Sequence, residues 1–134
     1  MSRPASLRVR ADTAELGRVR ARVAAWAEAA GLAENAARRL VLAVDEAVAN
    51  AIEHGMAPSS RVVVSADVGR RRLTVTVRYR GPRFDPLTAA TPGTATALRQ
   101  RAAHGYGLHL IRSLVDRAAY RWDEGTNEIC LGVG

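Results

Sequence analysis

The chain has 134 residues, 48% apolar and 25% charged, which fits one globular domain with a real core and leaves no room for a comfortable second. Its formal charge of +7 comes from twenty basic residues, all arginine, in an alanine-rich sequence, as a strong codon bias would produce. The arginines are scattered apart from Arg70-Arg71-Arg72, aromatics are only 4%, and no run approaches the roughly 18 apolar residues of a membrane span, so direct nucleic-acid binding and membrane insertion are not expected.

The first ten residues, MSRPASLRVR, lack the apolar run of a signal peptide. Leu7 and Val9 alternate with arginines and predict a short strand. Asp12 or Thr13 then caps a helix whose apolar positions Leu16, Val19, Val23, Trp26 and Ala30 step by three and four before Gly31 ends it. A second helix is expected from Ala33 to His54, stopped by Gly55 and Pro58. Its apolar arc comprises Leu40, Val44, Ala47, Val48, Ala51 and Ile52, bordered by a polar stripe of Glu46, Asn50 and His54 at intervals of one turn. Such a stripe suits either a solvated helix face or a site.

Two strands, Arg61 to Val68 and Arg72 to Tyr79, are predicted around a turn at Gly69, with Val62 and Val64, then Leu73, Val75 and Val77, alternating on one face. RGPRFDP, Arg80 to Pro86, ends the second strand. About twenty residues without a clear period follow, in which only Ala95 to Ala103 suits a short helix; loops of that length are usually functional. In HGYGLHLIRSLVD, His104 to Asp116, Gly105 and Gly107 precede an amphipathic helix with Leu108, Ile111, Leu114 and Val115 inward. The free backbone N–H groups of its first turn are able to meet an anion. Strands Ala118 to Trp122 and Glu128 to Val133 flank a turn at Glu124-Gly125. Cys130, the only cysteine, falls in the last strand; with no intrachain disulfide available, a reducing, cytoplasmic compartment is expected.

The order helix with E-x-x-x-N, hairpin, G-x-x-F-D-P, long loop, G-x-G-L-x-L-I helix and hairpin with Gly125-Thr126 resembles the Bergerat ATP-binding fold of the GHKL superfamily. The short chain is most similar to its anti-sigma-factor serine kinases. The resemblance implies an α+β, two-layer sandwich across residues 1–134: a mostly antiparallel sheet covered on one face by helices, with residues 87–104 as an ATP lid. It implies ATP and Mg²⁺ as ligands, with Asn50 holding the metal and Glu46 as the catalytic base. Gly81, Gly105, Gly107, Leu108 and Thr126 would make the nucleotide contacts, and Arg99 or Arg101 would serve as a lid cation. The implied partners are a sigma factor and an anti-anti-sigma protein of the STAS type, and the implied assembly is a homodimer.

The sequence departs from this pattern at the strand-end box. Where the family reads Asp-x-Gly-x-Gly, this chain reads Tyr79-Arg80-Gly81-Pro82-Arg83. The family's aspartate accepts the adenine amino proton, and losing a buried hydrogen bond to a charged acceptor costs about 1.5 to 3 kcal/mol, on the order of 10- to 150-fold in affinity. Arg83 replaces a glycine that lets the backbone approach the base. His109 is a milder departure. Two activities follow as alternatives: an ATP-dependent serine kinase, or a partner-binding scaffold that has little or no use for nucleotide.

Overall fold

Alternation along the strands sets the architecture. In the computed structural model, which describes residues 3–55, 60–87 and 107–134, β1 (Arg3–Arg10), β2 (Arg61–Gly69) and β3 (Arg72–Arg80) bury every second side chain. The buried set is Leu7 and Val9, then Val62, Val64, Ala66 and Val68, then Leu73, Val75, Val77 and Tyr79. β5 (Thr126–Val133) continues this pattern with Asn127, Ile129, Leu131 and Val133, while β4 (Arg117–Asp123) is the more exposed edge. The five described strands form one sheet in the order β1-β2-β3-β5-β4, antiparallel at every junction. Burial on one face and polar residues on the other is the signature of a sheet covered on a single side.

The cover is helical. Asp12 Oδ1 accepts from the Ala14 N–H at 2.9 Å and opens a short 3₁₀ turn, Thr13–Glu15, that runs into α1 (Leu16–Ala30). Gly31, at φ 73°, closes α1 in the left-handed conformation that costs glycine least. α1 buries Val19, Val23, Trp26, Ala27 and Ala30. α2 (Glu34–Asn50) packs against α1 and also against α3 (Gly107–Leu114), so it is the central helix and is buried around much of its circumference. No helix among the described residues is long and apolar enough to cross a membrane.

Three expectations are modified. The second helix does not continue regularly to His54, because Ala51–Gly55 forms a π-helical turn. Its i→i+5 pattern breaks the one-turn repeat, so Glu46 and Asn50 stay buried while His54 is exposed. The first strand is longer than Leu7 to Val9, pairing along β2 from Arg3 to Arg10. The first hairpin turns at Arg70-Arg71 beyond Gly69; Arg71 takes φ 54°, and its N–H donates to the Ala30 carbonyl at 2.6 Å, pinning the turn to the end of α1. The helix expected at Ala95 to Ala103, the lid arginines Arg99 and Arg101, and Gly105 lie outside the described residues.

Candidate functional site

Glu46 and Asn50 are polar residues inside an otherwise apolar helix packing. They are 8% and 4% exposed and stand one turn apart on α2. Arg39 lies on the same stripe, seven positions before Glu46, and its Nη1 donates to the Leu114 carbonyl at the end of α3 at 2.9 Å. Asp116 lies 4.0 Å from the same guanidinium. This stripe therefore faces α3, the helix that Gly107 opens and in whose first turn Leu108 falls. The side chains of Leu108 and His109 are outside the described set.

The strand-end box is held from below. Asn127, fully buried, uses its whole carboxamide on the segment from Gly81 to Phe84. Its Nδ2 donates to the Pro82 carbonyl at 3.0 Å and the Gly81 carbonyl at 3.3 Å, and its Oδ1 accepts from the Phe84 N–H at 3.0 Å. The Tyr120 hydroxyl donates to the same Oδ1 and itself accepts from the Phe84 N–H at 3.0 Å. Trp122 Nε1 donates to the Gly81 carbonyl at 3.2 Å, and the Gly81 N–H donates to the Gly125 carbonyl at 2.9 Å. Phe84 is thereby set 5.7 Å from the His54 ring, ring centre to ring centre, linking the box to the turn that ends α2.

Tyr79 is 2% exposed and directly opposite Asn127. It belongs to the core, on the helix-covered face where the family's aspartate would stand. Burial, followed by the nearby Tyr120, pushes its phenol far above the ordinary tyrosine range. Tyr120 is raised as well, chiefly by burial; the hydrogen bond from the Phe84 N–H opposes that shift, Asp85 adds to it and Arg83 opposes it more weakly. The Arg83 side chain is exposed.

The structure thus brings Glu46 and Asn50 together on the face of α2 that meets the helix of Gly107, and it places Gly81 in the stapled box. Thr126 is positioned differently. It pairs with Arg80 and Asp123, and it alternates with Asn127, so it lies on the sheet face away from the helices. Asn127 is the residue facing inward beside Tyr79, and sequence reasoning missed it along with Tyr120 and Trp122. A signal for it was present: Asn127 is the one polar residue in the parity that carries Ile129, Leu131 and Val133.

The protein-family model for the histidine kinase-like ATPase domain matches residues 9–133. The serine/threonine-protein kinase BtrW of Bordetella bronchiseptica is 28% identical over 94 residues, which are 69% of this chain and 66% of that kinase. The crystal structure of the RsbU and RsbW domains of Rv1364c from Mycobacterium tuberculosis superposes with a TM-score of 0.70 at 23% identity, covering 98% of this chain and 32% of that one. The likeness to that structure extends to the fold, with its sheet and one-sided helical cover. The chain spans just under two thirds of BtrW, at 66%, and about a third of the Mycobacterium chain, at 32%.

Proposed function

The chain belongs to the histidine kinase-like ATPase family, and from that membership we propose that it is a regulator of the anti-sigma-factor serine kinase type. In this reading it binds a sigma factor and an anti-anti-sigma partner of the STAS type, and phosphorylates a serine of the latter from ATP. Likeness to the kinase BtrW and to a structure containing an RsbW domain supports the partner class.

The observation that carries the reading is the buried Glu46 and Asn50 pair on the face of α2 that meets α3. The donor set fits a magnesium ion on phosphate: Asn50 offers a hard amide oxygen, suited to a metal that keeps several waters. When bound, that ion offsets charge on the phosphates. Glu46 accepts the proton of the attacking serine hydroxyl. The start of α3 at Gly107 presents backbone N–H groups to the phosphates, and Asn127 fixes the box that borders the base.

A second reading is favoured by Tyr79. A buried tyrosine in the position of the adenine-selecting carboxylate removes the charged acceptor and takes up volume, which supports a scaffold that binds partners with little or no nucleotide.

Calorimetric titration with ATP and ADP, with and without Mg²⁺, separates the two. Binding at about 100 μM or tighter, weakened by Asn50→Ala, supports the kinase reading and leads to a partner-phosphorylation assay; about 100 μM corresponds to roughly −5.5 kcal/mol. Absence of binding at millimolar nucleotide sinks the kinase reading and leaves the scaffold.

A further inference from the structure

The arginines that look scattered in sequence are collected by the strand register. On the sheet face away from the helices, Arg8 pairs with Val63, Val63 with Arg78, Arg78 with Glu128, and Glu128 with Arg121, a single row across all five strands. Nearer the strand ends, Arg10 stands directly opposite Arg61, and Arg80 opposite Thr126. Beside the row run Ser6, Ser65, Thr76, Cys130 and Ala119, again direct partners in turn, so the floor there is made of short side chains. Two concavities of about 370 and 330 Å³ indent this surface and share Arg78, Arg80 and Thr126.

The charges are unbalanced. Arg78 Nε donates to Glu128 at 3.1 Å, and Arg121 reaches the other oxygen of the same carboxylate at 3.4 Å, so one acid serves two cations. Arg8 and Arg80 make no ion pair with any described residue. Arg10 and Arg61, directly opposite one another at the strand ends, add two more cations to this side of the sheet.

We propose that this open face of the sheet is a docking surface for an acidic segment of a partner protein, its carboxylates seated among Arg8, Arg78 and Arg80. Guanidinium groups meet carboxylates in charge-assisted hydrogen bonds, as Arg78 already does with Glu128, its Nε and Nη2 both donating to Oε2. A second copy of the chain would bring one arginine row against another. Nucleic acid fits less well, because the described residues of this face include no aromatic side chain for a base, and Glu128 and Asp123 interrupt the basic surface. The surface is separate from the Glu46 and Asn50 site, so the proposal stands whether or not nucleotide binds.

The test is an amide NMR titration of the full ¹⁵N-labelled chain with an oligoglutamate peptide, and with an oligothymidylate of equal charge, at about 150 mM salt, where surface attraction beyond roughly 8 Å is screened. Shifts confined to the outward strand positions are expected, with affinity for the peptide falling about tenfold in Arg8→Glu/Arg80→Glu and less than about twofold in Arg22→Glu on exposed α1. The neutral pair Arg8→Gln/Arg80→Gln should give an intermediate loss and guards against a folding defect in the reversed pair. Four outcomes overturn the proposal: no peptide binding; equal loss from Arg22→Glu, which means diffuse charge attraction; tighter binding of the oligothymidylate; or face shifts that follow protein concentration without peptide, which mean self-association.

Discussion

Asn127 and Tyr79 are direct partners across β5 and β3, a fully buried carboxamide beside a phenol that is 2% exposed, on the face of the sheet that carries the core. The amide is spent on holding the box from Gly81 to Phe84, and the phenol stands where the family has a carboxylate. The neighbourhood of the base is therefore defined by one residue that positions backbone and one that fills volume.

Asn127→Ala takes the side-chain donor from the Pro82 carbonyl and the acceptor from the Tyr120 hydroxyl in a buried setting, while Trp122 still donates to the Gly81 carbonyl and the Phe84 N–H still donates to Tyr120. A loss of about 2 to 4 kcal/mol is expected in urea unfolding. Asn127→Asp keeps the acceptor but turns a carboxylate oxygen toward the Gly81 and Pro82 carbonyls. Its folded-state pKa should be raised above the unfolded value of about 3.9, so its stability should fall as pH rises through the folded value. A variant as stable at pH 7 as at pH 4, relative to wild type, would show that the loop reorients and frees the side chain.

Tyr79 predicts alkaline lability. Its folded-state pKa is raised by burial and by Tyr120, so its contribution is complete below the ordinary value of about 10 and declines as pH climbs toward the raised one. Between about pH 9 and pH 11 the wild type should lose roughly 1 kcal/mol more than Tyr79→Phe, read from urea midpoints. Equal losses would assign the lability to other groups.

Restoring the family box should restore affinity. Tyr79→Asp with Arg83→Gly is expected to gain on the order of tenfold or more in ATP affinity with Mg²⁺ present, by returning a charged acceptor to the base. Removing a buried aromatic costs about 3 to 5 kcal/mol, so circular dichroism must first establish a folded double variant. A folded variant without the gain would count against this account of the pocket.

Gly132 and Arg117 should be coupled. A Cβ at Gly132 would come within 2.4 Å of Arg117 Nη2. The Arg117 guanidinium donates to the Gly134 carbonyl at 2.6 Å and to Thr74 Oγ1 at 3.1 Å. Gly132→Ala should cost about 1 kcal/mol by displacing it, and little or nothing in an Arg117→Ala background. Additive costs would mean that backbone, not the guanidinium, needs the glycine.

Much of the fold was legible because it is local. The three-and-four spacing of Val19, Val23 and Trp26, the Asp12 cap, Gly31 in its left-handed turn and the alternating valines of β2 and β3 each follow from a few neighbouring residues. Glu46 and Asn50 could likewise be placed on one helical stripe from their spacing alone. Long-range pairing decided the rest. Period two says that Thr126 and Asn127 face opposite ways, but only the pairing of β5 between β3 and β4 says which faces the helices. The π-helical turn that takes His54 off the stripe and toward Phe84 has no marker in the apolar period. The arginine row exists only through register, since residues 8, 78 and 121 fall into one row on alternate strands when strands distant in sequence align, and no window of sequence contains them together.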